Sequence, residues 1–244
     1  MKQLLKDVLA TRHREAAIKQ LGELERVLPS PRSRFAVPFV FRGCGNFRKL
    51  APKQNPVEIE RLYELVCELG PRRLLEIGTA QGGSLYLWTQ AASADATIVS
   101  IDLPAGEFGG GYREYRAPFY KAFACADQSL HLLRADSHDP ATCQELRDLL
   151  TGHPLDFAFI DGDHRYEGVK ADFEHYGLLV RPGGLVAFHD TLPRPDLPEI
   201  EVHRLWSELS RRYDGEELIG PDGSGRKVGI GVIRVPERGL ELTV

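Results

Sequence analysis

The sequence contains few of the residues that would assign it to a specialised class of protein. Among 244 residues there are four cysteines, without a CxxC pair, and one methionine. This density does not fit a disulfide scaffold and predicts free thiols in a reducing compartment. No window approaches the run of about 18 apolar residues that a membrane span needs, and the first 28 residues are charged throughout, unlike a secretory signal. We therefore expect a cytoplasmic protein.

The chain also has little excess charge. Thirty-one basic and 35 acidic residues give a formal net charge of −4 at pH 7. That balance offers no electrostatic footprint for nucleic acid or an anionic membrane, so we expect neither as a partner. With 42% hydrophobic residues the chain holds enough apolar material for one sizeable core.

The N-terminal part differs from the rest. Apolar residues over 2–28 mostly suit one face of a helix, and Pro29, Pro31 and Pro38 then interrupt regular structure. Another amphipathic helix follows Pro56. We predict an N-terminal helical extension with an irregular segment over 1–55 and one domain over 56–244. A homo-oligomer is expected, because the apolar face of the first helix has to be buried somewhere.

Strand and helix patterns alternate in the remainder. Apolar runs occur at RLLEIG, ATIVSID, LHLLRAD, LDFAFID and GLVAFHD, with helical patterns at 84–92, 140–150 and 166–180. Such alternation predicts a doubly wound α/β fold with a parallel sheet covered on both faces. A helix near 201–213 precedes EELIG and KVGIGVIRV, which predict a hairpin added at one edge of the sheet.

Acidic residues end the apolar runs. The first four runs end at Glu76, Asp102, Asp136 and Asp161, and the fifth ends at His189-Asp190. Ligands of open parallel sheets bind outside the carboxyl ends of the strands. These tips therefore predict one shared site.

A glycine-rich turn follows the first strand and narrows the choice of ligand. Gly78 and Gly82-Gly83-Ser84 permit a sharp turn into a helix, but GxGxxG and the phosphate-binding GxxxxGK[ST] are both absent. Glu76 beside this turn would repel a pyrophosphate and suits a cationic ligand such as S-adenosylmethionine. Asp102, 26 residues beyond Glu76, is where a ribose diol would be held.

Four stretches, LLEIGTAQGGS, VSIDLP, FIDGDHRYEGVKADFE and RPGGLVAFHDT, resemble the class I S-adenosylmethionine-dependent methyltransferases. The resemblance is strongest to the small-molecule group that includes macrolide-sugar O-methyltransferases and cephalosporin hydroxylase-like proteins, and it covers about 56–235. It implies seven strands, the last antiparallel. It also implies cofactor-binding residues: Glu76, Gly78, Gly82, Gly83 and Ser84 around the methionine moiety, Asp102 at the ribose, and Asp136 and Ser137 near the adenine.

The same resemblance implies a catalytic centre. Asp161 and the pair His189-Asp190 occupy the positions of a divalent metal site, and His164 that of a general base, so His164 and Asp161 are the candidate catalytic residues. His189 departs from the carboxylate usual in this group. An all-oxygen set favours Mg²⁺, whereas an imidazole shifts the preference towards Mn²⁺, Fe²⁺ or Zn²⁺, or marks a lost metal site. Asp163 is expected to cap the helix that follows it.

The sequence leaves alternatives open for the substrate-contacting residues and for the activity. Tyr112, Arg113 and Arg116, in an aromatic-rich segment between the second and third strands, are candidate substrate contacts or part of a structural insertion. The expected function is methylation of a small hydroxylated molecule. The alternatives are a metal-dependent hydrolase or oxygenase that uses Asp161, His164, His189 and Asp190, and a non-catalytic protein on a methyltransferase fold.

Overall fold

The computed structural model describes residues 2–106, 111–125, 127–221 and 227–241. The strands are β1 (Arg73–Ile77), β2 (Thr97–Ile101), β3 (Ser129–Leu133), β4 (Leu155–Ile160), β5 (Val180–His189), β6 (Glu216–Leu218) and β7 (Ile230–Arg234). The helices are α1 (Lys2–Val27), α2 (Pro31–Arg34), α3 (Val37–Val40), α4 (Pro56–Leu69), α5 (Gly83–Ala91), α6 (Ala117–Lys121), α7 (Pro140–Leu149), α8 (Tyr166–Tyr176) and α9 (Val202–Tyr213).

The strands form one seven-stranded sheet in the order β3-β2-β1-β4-β5-β7-β6. Strands β1 to β5 pair in parallel, whereas β7 is antiparallel to both β5 and β6. This confirms the predicted doubly wound sheet, the edge hairpin and the antiparallel last strand. The chain runs outward from β1 to β3 and returns to β4 beside β1. The switch of direction therefore lies between β1 and β4, where a ligand crevice is expected.

Local sequence signals explain where the helices begin and end. Asn55 caps α4 by accepting a 2.9 Å hydrogen bond from the amide of Val57, and Pro56 occupies the first helical position. Gly70 ends α4 in the left-handed conformation (φ +54°). Asp139 caps α7 in the same way through the amide of Ala141. The predicted helices accordingly agree with the observed ones to within a few residues.

Strand β4 is buried on both faces, as a central parallel strand must be. Phe157 and Phe159 point to one face, where they contact the ring of Trp88 edge-on at centroid distances of 5.1 and 5.3 Å. Ala158 and Ile160 belong to the hydrophobic cluster on the opposite face. These two layers hold the strand tips in fixed register beneath the ligand crevice.

The described part of the N-terminal extension packs onto the first of these layers. Ala17 and Leu21 of α1, together with Phe41, Phe47 and Leu50, are almost fully buried in the same cluster as Trp88. Residues up to 55 thus share a core with the sheet, and the boundary at 55/56 stays a prediction. Among the residues that the structure describes, none of the helices combines the length and the apolar character needed to cross a bilayer.

Candidate active site

A cavity of about 900 Å³ lies over the carboxyl ends of β1, β2, β4 and β5. Its wall includes residues that follow each of these strands, as the parallel topology requires. The lining residues used below are Gln54, Gly78, Ala80, Asp102, Asp136, Ser137, His138, Asp161, Asp163, His164, Arg165, His189 and Asp190.

Gly78 allows the tips of β1 and β4 to meet. Its φ is +89°, and a Cβ built on it would lie 1.9 Å from the carbonyl oxygen of Asp161. The amide of Gly78 donates to the carbonyl of Ile101 at 2.9 Å, and the amide of Asp161 donates to that of Ile77 at 2.9 Å. Only glycine combines this conformation with this close approach, so the turn brings three strand tips together.

Asp102 lies at the tip of β2 with its side chain turned back towards the glycine turn. Its two carboxylate oxygens accept hydrogen bonds of 2.7 Å from the amides of Ala80 and Gly111. Burial raises the pKa of Asp102, and these backbone amides oppose the rise. Each oxygen retains a lone pair, which leaves the carboxylate able to accept from a ligand hydroxyl.

Asp136, Ser137 and His138 follow β3 on the next part of the wall. His138 Nε2 lies 3.3 Å from Asp172 Oδ1, and the carboxylate of Asp172 is fully buried within α8. The interaction with Asp172 is the main reason that the pKa of His138 is raised to about 9. His138 is therefore a cation at neutral pH. It links the loop after β3 to the helix that follows the tip of β4.

Two carboxylates and two imidazoles meet at the tips of β4 and β5. His164 Nδ1 lies 2.9 Å from Asp190 Oδ2, and His164 Nε2 lies 3.8 Å from Asp161 Oδ1. His189 Nδ1 lies 3.0 Å from Asp161 Oδ1 and 3.3 Å from Asp190 Oδ2. Asp161, His189 and Asp190, predicted as one metal-binding set, are thus neighbours, and His164 joins them.

The electrostatics of this cluster follow from its alternating charges. Burial alone would lower the pKa of His189, but the carboxylates of Asp161 and Asp190 outweigh it and raise that pKa to about 10. The pKa of His164 is raised by the same two acids against the effect of burial. Burial favours the protonated form of Asp190, yet the two histidines hold its pKa below the usual range. The cluster thus stabilises positive charge on its imidazoles.

Candidate ligand atoms of Asp161, His164 and Asp190 all lie within 4.8 Å of one another. Two carboxylates and one imidazole at this spacing fit a divalent cation such as Mn²⁺. His189 presents Nδ1 to the carboxylates, at hydrogen-bond distance from both of them. Asp161, His164 and Asp190 thus form a group able to hold an ion, and His189 as a ligand of the metal site stays a prediction.

The remaining residues predicted around the methionine moiety divide into two groups. Gly83 and Ser84, with Gly78, line a small crevice next to the cavity. Glu76 and Gly82 line neither space. Glu76 is fully buried and accepts a 2.9 Å hydrogen bond from Trp88 Nε1, and burial raises the pKa of Glu76 to about 8.

Tyr112, Arg113 and Arg116 are not among the cavity-lining residues, so the structure does not bring these predicted substrate contacts to the site. Tyr112 is buried against Tyr120, with ring centroids 4.8 Å apart. Arg116 donates to the carbonyl oxygens of Asn46, Lys49 and Gln81 at 2.7 to 3.3 Å. The alternative reading as a structural insertion fits this arrangement. Residues 107–110 of the same segment lie outside the described part of the chain.

Asp163 follows the expected capping pattern only in part. Its carboxylate accepts from the amide of Arg165 at 2.9 Å and pairs with the Arg165 guanidinium at 2.6 Å. Arg165 itself occupies the N-cap position of α8. Asp163 thus orders the turn before the helix rather than the helix terminus.

Sequence reasoning missed His138, its partner Asp172, and Gln54. His138 directly follows two predicted site residues, so a titratable side chain at that strand tip was a usable signal. The only sequence signal for Asp172 was its position in the stretch FIDGDHRYEGVKADFE. Gln54 carried no signal, because its segment reads as an irregular connection.

Comparison with known proteins identifies the part of the chain that carries the site. The family model described as a methyltransferase domain matches residues 75–191, which include the glycine turn and every strand tip of the site. Residues 75–191 form a methyltransferase domain. The resemblance seen in the motifs is thereby confirmed.

Two curated relatives and one solved structure illustrate the range of similarity to this methyltransferase domain. An uncharacterized protein, y4gI, of Sinorhizobium fredii is 31% identical over 153 residues, 60% of this chain and 16% of that protein. Caffeoyl-CoA O-methyltransferase of Populus kitakamiensis is 26% identical over 151 residues, 60% of this chain and 58% of that enzyme. The chain thus spans less than two thirds of the length of either relative.

The solved structure is an O-methyltransferase from Bacillus cereus in complex with SAH. It aligns with a TM-score of 0.58 and 20% identity, over 91% of this chain and 99% of that one. At this identity the likeness establishes the Rossmann-like methyltransferase fold, in agreement with the observed strand order.

Proposed function

We propose that the protein is an S-adenosylmethionine-dependent methyltransferase that methylates a hydroxyl group of a small molecule. One observation carries the proposal. A single cavity joins the glycine turn, Asp102 and Asp136 to the cluster around His164. The proposed cofactor site and the proposed base thus line the same space, which group transfer to a hydroxyl requires.

The cofactor would be held along the tips of β1, β2 and β3. Its ribose hydroxyls would donate to Asp102, and its adenine would lie against Asp136 and Ser137. Gly78, Gly83 and Ser84 would surround the methionine end. When bound, S-adenosylmethionine supplies a methyl group on a positively charged sulfur. The acidic strand tips suit that positive charge.

His164 is the proposed general base. The 2.9 Å contact between Nδ1 and Asp190 fixes the ring and keeps the Nδ1 proton, so that Nε2 is the nitrogen that accepts the substrate proton. Because Asp161 and Asp190 raise the pKa of His164 against the effect of burial, the neutral ring that can accept a proton forms at a higher pH than in an ordinary histidine.

A divalent ion, Mg²⁺ or Mn²⁺, is the second way to activate the hydroxyl. Asp161, His164 and Asp190 would hold it, and its charge would acidify a bound hydroxyl. His164 cannot be ligand and base at once. If it is a ligand, His164→Ala lowers Mn²⁺ affinity at least about tenfold; if it is only the base, the affinity stays unchanged.

Calorimetric titration of SAH into the purified chain tests the proposed function. We expect micromolar binding that Asp102→Ala abolishes and Asp148→Ala, at an exposed acid on α7, leaves intact. Repeating the titration with Mn²⁺ shows whether the metal contributes. Absence of SAH binding under every condition would refute the methyltransferase proposal.

We also propose that the chain assembles into a homo-oligomer. The second half of α1 packs on the core, but Val8 and Leu9 in its first half are 42% and 48% exposed. Two neighbouring exposed aliphatic side chains on a helix support contact with a second copy. Sedimentation of the chain and of a Val8→Glu, Leu9→Glu variant tests this; a monomer at micromolar concentration in both would contradict it.

A further inference from the structure

The segment that precedes α4 is packed onto the cofactor side of the domain. Leu50 is buried, and a Cβ at Gly83 would lie 2.2 Å from the carbonyl oxygen of Leu50 and 2.4 Å from the nitrogen of Pro52. Arg116 holds the start of the segment through the carbonyl oxygen of Lys49 at 3.0 Å. The segment therefore covers the beginning of α5 and brings Gln54 to the site.

Gln54 is 5% exposed, and the two ends of its amide differ in what they contact. Nε2 donates a 2.6 Å hydrogen bond to Asp161 Oδ2, while Asp161 Oδ1 faces His189. Oε1 is buried without a hydrogen-bond partner among the described residues. A buried acceptor without a donor is unfavourable, so a ligand that supplies a donor gains affinity at this position.

The crevice beside Gln54 limits what that donor can be. It has a volume of about 20 Å³ and is lined by Gln54, Gly78, Ser84 and Asp161, among others. That volume holds one group about the size of a water molecule. Gln54 and Asp161 also line the main cavity, so the crevice adjoins it. An amide oxygen and a carboxylate next to so small a space select a compact cation with several N–H donors, which is a primary ammonium group.

We propose that Gln54 binds the ammonium group of the cofactor through its side-chain oxygen, while its amide nitrogen holds Asp161. This inference rests on the proposed function, because it requires a cofactor with a methionine moiety. It makes residues before the methyltransferase domain part of the cofactor site. The bond between Nε2 and Asp161 fixes the amide, so that Oε1 is the end left for the ammonium.

The test compares SAH with its deaminated analogue, which keeps the carboxylate and lacks the ammonium. Gln54→Met keeps the length of the side chain and removes the acceptor. We expect it to weaken SAH binding about 10- to 100-fold, the range for a hydrogen bond to a charged donor, and to change binding of the deaminated analogue less than about twofold. Gln144→Met is the matched control, because Gln144 donates to Asp148 at 2.8 Å on the exposed face of α7.

Each outcome decides a different point. Equal weakening of both ligands by Gln54→Met would overturn the ammonium contact and leave the methyltransferase proposal standing. Failure of the unsubstituted chain to bind SAH would refute the proposed function itself. If Gln54→Met does not fold, Gln54→Ala is measured with the same pair of ligands. The proposal also requires that the unsubstituted chain bind the deaminated analogue at least about tenfold more weakly than SAH.

Discussion

The ion pair between His138 and Asp172 should make the stability of this protein depend on pH in a defined window. Asp172 is fully buried, and its Oδ1 lies 3.3 Å from His138 Nε2. The carbonyl oxygen of Gly168 lies 3.2 Å from the same nitrogen. His138 Nδ1 faces Asp136 at 3.9 Å. Asp172→Asn keeps the shape of the side chain and removes its charge.

The direction of this pH dependence follows from the direction in which the pKa of His138 is shifted. The pKa of His138 is raised from 6.5 to about 9, chiefly by Asp172. Because the folded state binds this proton more tightly than the unfolded state, the contribution is fully present below pH 6.5 and disappears as the pH rises through 9. The full shift corresponds to about 3.4 kcal/mol. Since 32% of the side chain is exposed, solvent screening reduces this to about 1–2 kcal/mol.

The assay is urea unfolding of both proteins between pH 6 and 10. The free energy of unfolding of the unsubstituted chain, relative to Asp172→Asn, should fall by about 1–2 kcal/mol across the window. His153→Gln, at an exposed histidine, serves as the control and should leave the curve unchanged. A difference between the two proteins that stays constant from pH 6 to 10 would refute the reasoning.

Three further predictions concern the packing around the site. Gly78→Ala should destabilise the fold by about 3–5 kcal/mol, because the new Cβ would overlap Asp161. The control, Gly152→Ala, has a similar φ of +79° but open space around it, and it should cost about 1–2 kcal/mol. Equal urea midpoints for the two variants would contradict this. Arg116→Lys should lower the free energy of unfolding by about 1–2 kcal/mol, since one ammonium cannot replace a guanidinium that bonds three carbonyl oxygens; an unchanged midpoint would show that these bonds contribute nothing. Burial raises the pKa of Glu76 from 4.5 to about 8. The unsubstituted chain should therefore lose stability relative to Glu76→Gln as the pH rises from 4.5 to 8. The same difference in the free energy of unfolding between the two proteins at pH 5 and at pH 8.5 would rule this out.

The sheet and the placement of the site could be predicted because both depend on short-range patterns. Buried parallel strands require unbroken apolar runs, and LDFAFID shows such a run directly. The carboxyl ends of such strands share one edge, so Asp102, Asp136 and Asp161 had to lie near a common space. The sharp turn at Gly78 could likewise be predicted, because glycines directly after a strand permit such a turn.

The contacts made across the sequence could not be predicted in this way. Arg116 was a candidate either for substrate contact or for a structural insertion. It bonds carbonyl oxygens about 35 and 70 positions away, and no local pattern encodes that pairing. Glu76 was expected beside the cofactor. Its place at the cofactor stays a prediction. Its bond to Trp88 could not be predicted, because no local pattern shows which side chain of α5 faces the end of β1.

By itself the sequence determined the elements, their order and the edge of the sheet at which polar side chains collect, since each depends on the spacing of apolar residues and on glycine, proline and capping signals. Tertiary structure alone decided which of those side chains face one another. It placed His164 against Asp190, His138 against Asp172 and Gln54 against Asp161, each pair at least 26 residues apart in sequence. Distances of about 3 Å between such residues depend on how the layers pack, and the packing is a property of the whole chain.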